Sequence, residues 1–172
     1  MALNKSSLAK NLESVLNQDL PTDLNEVKKV KSTNKKKAKG IANALDKFVK
    51  SRHKIAKYYN SKLNELPLTL PWQSRGAYSS YHLYPILIKS SLSAKTQKQV
   101  YSELRKNDIA VNLHYIPVHR HPYYENLGFK KNDFPNAEKF HKEVISLPMH
   151  PYLSEEEVEY ISDAINSFFD KT

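Results

Sequence analysis

The densest run of chemically capable side chains is HYIPVHRHPYY, His114 to Tyr124, with three histidines, one arginine and three tyrosines in eleven positions. Arg120 supplies a planar fork for phosphate oxygens, and tyrosine rings stack on bases or other rings. Imidazoles beside a guanidinium and phenols therefore suit a phosphorylated ligand. A proline-stiffened surface loop whose tyrosines pack on one another would have the same composition, and the residues alone leave both open. His119 and His121 alternate, and His82, His114 and His150 could join them on a metal. No carboxylate stands at a matching spacing and H-E-x-x-H is absent, so a metal site is not expected. There is no cysteine, and Gly40, Gly76 and Gly128 are too scattered for a phosphate-binding glycine loop. The acidic run Glu155–Glu157 reads as favourable charge at a helix N-terminus.

The elements that must position this cluster follow from periodicity. Ile41, Leu45, Phe48, Ile55, Tyr59 and Leu63 form one apolar stripe at three- and four-residue steps, predicting a helix from near Gly40 that Pro67 and Pro71 close. The run YHLYPILI, Tyr81 to Ile88, reads as a buried strand, with Pro85 placing part of it at an edge or bulge. Ser93 can cap a helix over about 94–106 that turns Val100 and Leu104 inward, and Ile109–His114 reads as a second strand, which makes one crossover unit. Tyr115–Gly128 is expected to be a structured loop with one helical turn. Pro135 opens a helix to about Val144, Ile145–Leu147 forms a third short strand, and Ser154 with Glu157 makes a capping box. Val158, Ile161, Ile165 and Phe168 form the inward face of the last helix. The expected fold is α/β: a small layer of about three strands with packed helices, preceded by a basic helical leader.

Charge divides the chain. Residues 1–58 hold fourteen Lys/Arg against five Asp/Glu, whereas residues 59–172 hold thirteen of each, so the net +9 belongs to the leader side. Leu8, Leu12, Val15 and Leu16 predict a first helix ending at Pro21, and Leu24, Val27 and Val30 a short second segment. The seven lysines of Lys28–Lys39 then read as a linker and a domain boundary. The chain therefore reads as a basic leader followed by a neutral globular part. No run of about 18 apolar residues occurs and no secretory leader is visible, so a cytoplasmic protein without membrane partners is expected. Lysine contacts to nucleic acid are possible in principle, but the leader has no aromatic residue before Phe48 to stack on bases, and nucleic acid is not the expected partner.

Four ordered blocks carry a resemblance: LDKFVKSRHKIAKYYNSKL, SSYHLYPILI, VNLHYIPVHRHPYYENLGF and FPNAEKFHKEVISLPMHPYLSEEEVEYI. From about residue 45 the chain resembles the C-terminal small domain of DegT/DnrJ/StrS-type sugar aminotransferases, in detail the branch that aminates UDP-linked 4-keto-sugars toward pseudaminic acid. The resemblance implies a pyridoxal-phosphate enzyme in its complete form, with a nucleotide-sugar substrate and active sites at subunit interfaces. It implies that His82, Tyr115, His119 and Arg120 face the substrate, hydrogen-bonding to diphosphate or sugar. The family's Schiff-base lysine segment has no counterpart in these residues, so no catalytic or cofactor-binding residue carries over and no cofactor is expected for this chain alone. The expectation is a truncated or split aminotransferase, inactive alone, with a homodimer or a separately encoded cofactor domain as partner. Residues 1–44 depart from the family, and their MALNKSSLA start resembles the opening of small phage virion proteins, so the division implied is 1–44, a leader and linker of unrelated origin, and 45–172, the aminotransferase-like small domain. The alternative is therefore a non-catalytic basic binding or structural module from a phage-derived fusion.

Overall fold

The computed structural model describes residues 24–89 and 91–170. The chain divides into two compact units, Met1–Leu45 and Asp46–Thr172. The helix expected around Leu8–Leu16 lies outside the described residues. The first helix, α1 (Leu24–Leu63), begins well before Gly40, and the lysine-rich stretch expected to be a linker is helical throughout. Lysine and alanine favour helix, no proline interrupts residues 24–63, and the single Gly40 costs only about 1 kcal/mol. Many like charges weaken a helix but do not forbid it. Of the expected stripe, Ile55, Tyr59 and Leu63 are buried, together with Ala56; Ile41 and Leu45 are exposed.

The second unit is a three-stranded antiparallel sheet with helices. After α1 come β1 (Leu68–Thr69), β2 (Tyr84–Ile88), α2 (Gln97–Lys106), a 3-10 turn at Val118–Arg120, α3 (Pro122–Asn126), α4 (Pro135–Glu143), β3 (Val144–Leu147) and α5 (Glu155–Asp170). The sheet order is β1-β2-β3. The expected strand at Ile109–His114 reduces to one antiparallel bridge, Asn112 to Ser146. Ile109 and Val111 are buried, but Leu113 is exposed, and the chain leaves the sheet there. The bridge runs antiparallel to β3 as β2 does, so the segment is parallel to β2 with β3 between them. The crossover is therefore split by an inserted strand.

Pro85 sits on the middle strand at a position that needs no donor. Ser146 spends both its backbone groups on Asn112 (3.2 and 2.8 Å), so facing Pro85 it forms a non-hydrogen-bonded pair. The nitrogen of Pro85 accordingly points to the opposite side of β2, the side on which Lys89 donates to Pro67 O at 2.9 Å. There β1 pairs only Ile88 and Leu87, and ends before Pro85.

The core joins Ile55, Tyr59 and Leu63 to alternate residues Tyr84, Ile86 and Ile88 of β2, with Val100, Leu104, Ile145, Leu147, Val158, Ile161 and Ile165. On α5 the last inward aromatic is Phe169 rather than Phe168, which is only partly buried. Eleven residues from Val158 return to within about 20° of the same face, whereas ten fall about 80° short. The cap of α2 is Thr96, not Ser93: Thr96 Oγ1 accepts from Gln99 N while Gln99 Oε1 accepts from Thr96 N. Ser93 Oγ accepts instead from Lys95 N in the preceding turn. The capping box at α5 forms as expected, Ser154 N donating to Glu157 Oε2 and Glu157 N to Ser154 Oγ.

Candidate functional site

The histidine-rich run leaves the sheet at the Asn112 bridge and returns to the core at α4. Between them Pro122 opens α3 at its first turn, where its missing N–H is not needed, and Gly128 takes φ +100° to reverse the chain. His121 Nε2 donates to Ile116 O at 3.3 Å, closing the 3-10 turn against the residues before it. A continuous ladder of rings follows: Tyr123 on Tyr124 (5.3 Å between centroids), Tyr124 on Phe129 (6.2 Å), Phe129 on Phe134 (6.0 Å) and Phe134 on His119 (4.9 Å). The local packing expected of a stiffened loop is thus present, yet Tyr123, Leu127, Phe129 and Phe134 remain exposed.

Below this ladder lies a buried carboxylate. Glu138 is 3% exposed and is the one buried residue of α4. His119 Nε2 donates to its Oε1 at 3.0 Å, and Arg120 Nη1 lies 3.6 Å from its Oε2. A carboxylate taken out of water is tolerated only with such partners, because isolated burial of its charge is very costly. Two consecutive side chains of one turn therefore straddle a single carboxylate on the neighbouring helix.

The four residues expected to face a ligand are placed differently from one another. His119 is 7% exposed, and its Nε2 is committed to Glu138. The side chain of Arg120 is 29% exposed and approaches Glu138 through Nη1. Tyr115 is 72% exposed, its ring edge-on to His114 at 4.6 Å, and His114 Nδ1 lies 2.9 Å from Ser146 Oγ. His82 is exposed two residues before β2. The register sets His82 beyond the Leu147 end of β3, while the chain leaves the bridge toward the Val144 end on its way to Tyr115. Glu138 joins His119 and Arg120; among the described residues no hydrogen bond or ring contact joins His82 or Tyr115 to them.

Sequence reasoning missed two residues here. Glu138 had one signal, a lone first-turn acid on a helix whose last turn is basic, following Pro135. His53 had none: its Nε2 donates to Ser79 O at 2.7 Å, its ring stacks on Tyr78 at 4.4 Å, and Tyr81 meets it edge-on at 4.8 Å. These contacts fix the loop that delivers His82 to the head of β2.

Pyridoxal phosphate, implied by the resemblance, finds no fitting amine among the lysines from Lys37 to Lys142. A Schiff-base lysine must readily lose its proton, which burial or nearby positive charge brings about. None of the lysines from Lys37 to Lys142 is buried. Lys62 is displaced the other way, above its usual value, chiefly by its hydrogen bond to Glu159 at 3.1 Å. Among the described residues no three His, Cys, Asp or Glu side chains gather as a metal site, and no helix is long and apolar enough to cross a membrane.

Comparison with known proteins agrees with this architecture. The spore coat polysaccharide biosynthesis protein SpsC of Bacillus subtilis is 32% identical over 124 residues, 70% of this chain and 32% of SpsC. The apo form of the putative sugar aminotransferase Spr1654 from Streptococcus pneumoniae superposes with a TM-score of 0.68 at 28% identity, over 76% of this chain and 33% of that one. Helicobacter pylori PseC, an aminotransferase of pseudoaminic acid biosynthesis, gives 0.64 at 28% identity, over 73% and 33%. The chain spans about a third of the length of the curated relatives it matches. Residues 40–166 match the DegT/DnrJ/EryC1/StrS aminotransferases as a family, and the chain belongs to that family.

Proposed function

We propose that residues 45–172 form the small domain of a nucleotide-sugar aminotransferase that acts on a UDP-linked 4-keto-sugar of the pseudaminic acid type. In this reading the chain closes one side of an active-site cleft and does not itself carry out the amino transfer. The observation that carries it is the family match over residues 40–166, within which no lysine is buried. His82, Tyr115 and Arg120 meet the nucleotide-sugar, and His119 serves the same surface from beneath through Glu138. Their contribution is orientation of the ligand rather than movement of a proton. The amine-binding part of the site belongs to the family's cofactor-binding domain. The setting is cytoplasmic, where nucleotide-sugars are made and used.

The test is to mix the chain with pyridoxal phosphate, scan its absorbance and reduce with borohydride. The expected result is scattered, low-level labelling of exposed lysines. A stoichiometric adduct trapped at one defined lysine would overturn the reading of a domain that is inactive alone.

A further inference from the structure

Helix α4 buries a carboxylate where a helix of its kind would bury an apolar side chain, and hydrophobic packing gives no reason for it. The reason lies in what the carboxylate holds. Its two oxygens serve different residues: Oε1 accepts from His119, and Oε2 faces Arg120 and has no hydrogen bond of its own. Because 119 and 120 are neighbours on a 3-10 turn, one carboxylate restrains the turn at two successive side chains. Phe134 also packs on the His119 ring, at 4.9 Å between centroids, so that ring cannot swing out without breaking both contacts. Arg120 has five N–H donors, and only Nη1 approaches Glu138; its guanidinium makes no other polar contact among the described residues.

We propose that Glu138 is a positioning residue: it aims the Arg120 guanidinium and, with His119, fixes the Val118–Arg120 turn, so that the unspent N–H groups of Arg120 are offered to the phosphates of a nucleotide. The nucleotide half of this statement rests on the function proposed above. The restraint on the turn does not. Paired to a buried acid, the guanidinium is oriented before a ligand arrives, and less freedom is lost on binding. Glutamine at 138 would keep a hydrogen bond to His119 but lose the charge that draws Arg120 in.

The experiment titrates the full 172-residue chain with UDP while following its backbone amide resonances. Saturable shifts are expected at residues 115–121. Glu138→Gln and Arg120→Gln should each weaken UDP binding about tenfold, the size of one lost charge-assisted contact. The double variant should be no weaker than Arg120→Gln alone, since both changes act through one guanidinium. UDP binding by Glu138→Gln as tight as wild type, or losses that simply add, would overturn the proposal. If wild type does not bind UDP, the nucleotide reading fails, and hydrogen exchange decides the restraint separately. Faster exchange at residues 118–124 in Glu138→Gln, with β2 and α5 unchanged, supports the positioning role; unchanged exchange there sinks it. Should the glutamine variant not fold, Glu138→Asp carries the same comparisons, with a smaller loss expected because it keeps the charge.

Discussion

Tyr59 and Tyr84 lie with ring centroids 4.8 Å apart in the core, and each hydroxyl has its own acceptor. Tyr59 OH donates to Pro148 O at 3.1 Å, and Tyr84 OH donates to Asn60 Oδ1. The pair ties α1 to the middle strand through its rings, while its hydroxyls reach back to α1 and to the segment after β3. Removing either hydroxyl leaves a partly buried acceptor unmatched. Tyr59→Phe and Tyr84→Phe should each lower unfolding free energy by about 1 kcal/mol, and Tyr59→Ala by about 3–5 kcal/mol, because it also opens a cavity. Urea unfolding followed by far-UV circular dichroism checks these values.

The same two phenols predict an alkaline limit on stability. Burial, the largest cause, raises both well above the usual tyrosine value; for Tyr59 the neighbouring Tyr84 adds to it, and for Tyr84 the nearby Tyr81. A folded-state pKa above the unfolded one means that the unfolded chain releases these protons first. The stabilisation is complete below about pH 10 and is lost as pH rises beyond it. Denaturant midpoints should fall steeply above about pH 10 in wild type and less steeply in Tyr59→Phe. A fall of equal slope in both would contradict the assignment.

Caps give a sharper local test. Thr96→Ala should cost about 1 kcal/mol, as expected for loss of an N-cap, and Ser154→Ala a similar amount at α5. Ser93→Ala should cost much less, because its hydroxyl serves only a turn. Thermal melts of the three variants rank them directly.

Two glycines should respond in opposite directions to alanine. Nothing lies within 4 Å of a Cβ added at Gly40 or at Gly128, so packing plays no part at either. Gly40 is inside α1, where alanine is favoured by about 1 kcal/mol, so Gly40→Ala should raise the helical signal at 222 nm. Gly128 has φ +100°, so Gly128→Ala should destabilise the second unit by about 1–2 kcal/mol.

Much of the second unit was legible because local chemistry and tertiary packing agree there. Val100 and Leu104 on α2, the Ser154–Glu157 box, and the helix opened by Pro135 each follow from a side chain within one turn of its effect. The misreadings share a different cause. The helix through Lys28–Lys39 was missed because a lack of apolar residues was taken for a lack of structure, although helix needs only backbone hydrogen bonds and the absence of breakers. The strand at Ile109–His114 was over-read because two inward residues fit either a strand or a buried turn. The Glu138 partnership could not be read because it joins residues 18 and 19 positions apart across a loop. A carboxylate on a short helix ordinarily belongs to solvent.

Pro85 carries a consequence for how this small sheet behaves in company. The unpaired half of β2 would otherwise offer a free backbone edge, where the strand of another molecule could add and begin a growing stack. At the residue just past the reach of β1, that edge has no proton to donate. The proline is thus a stop against strand addition in a domain of only three short strands.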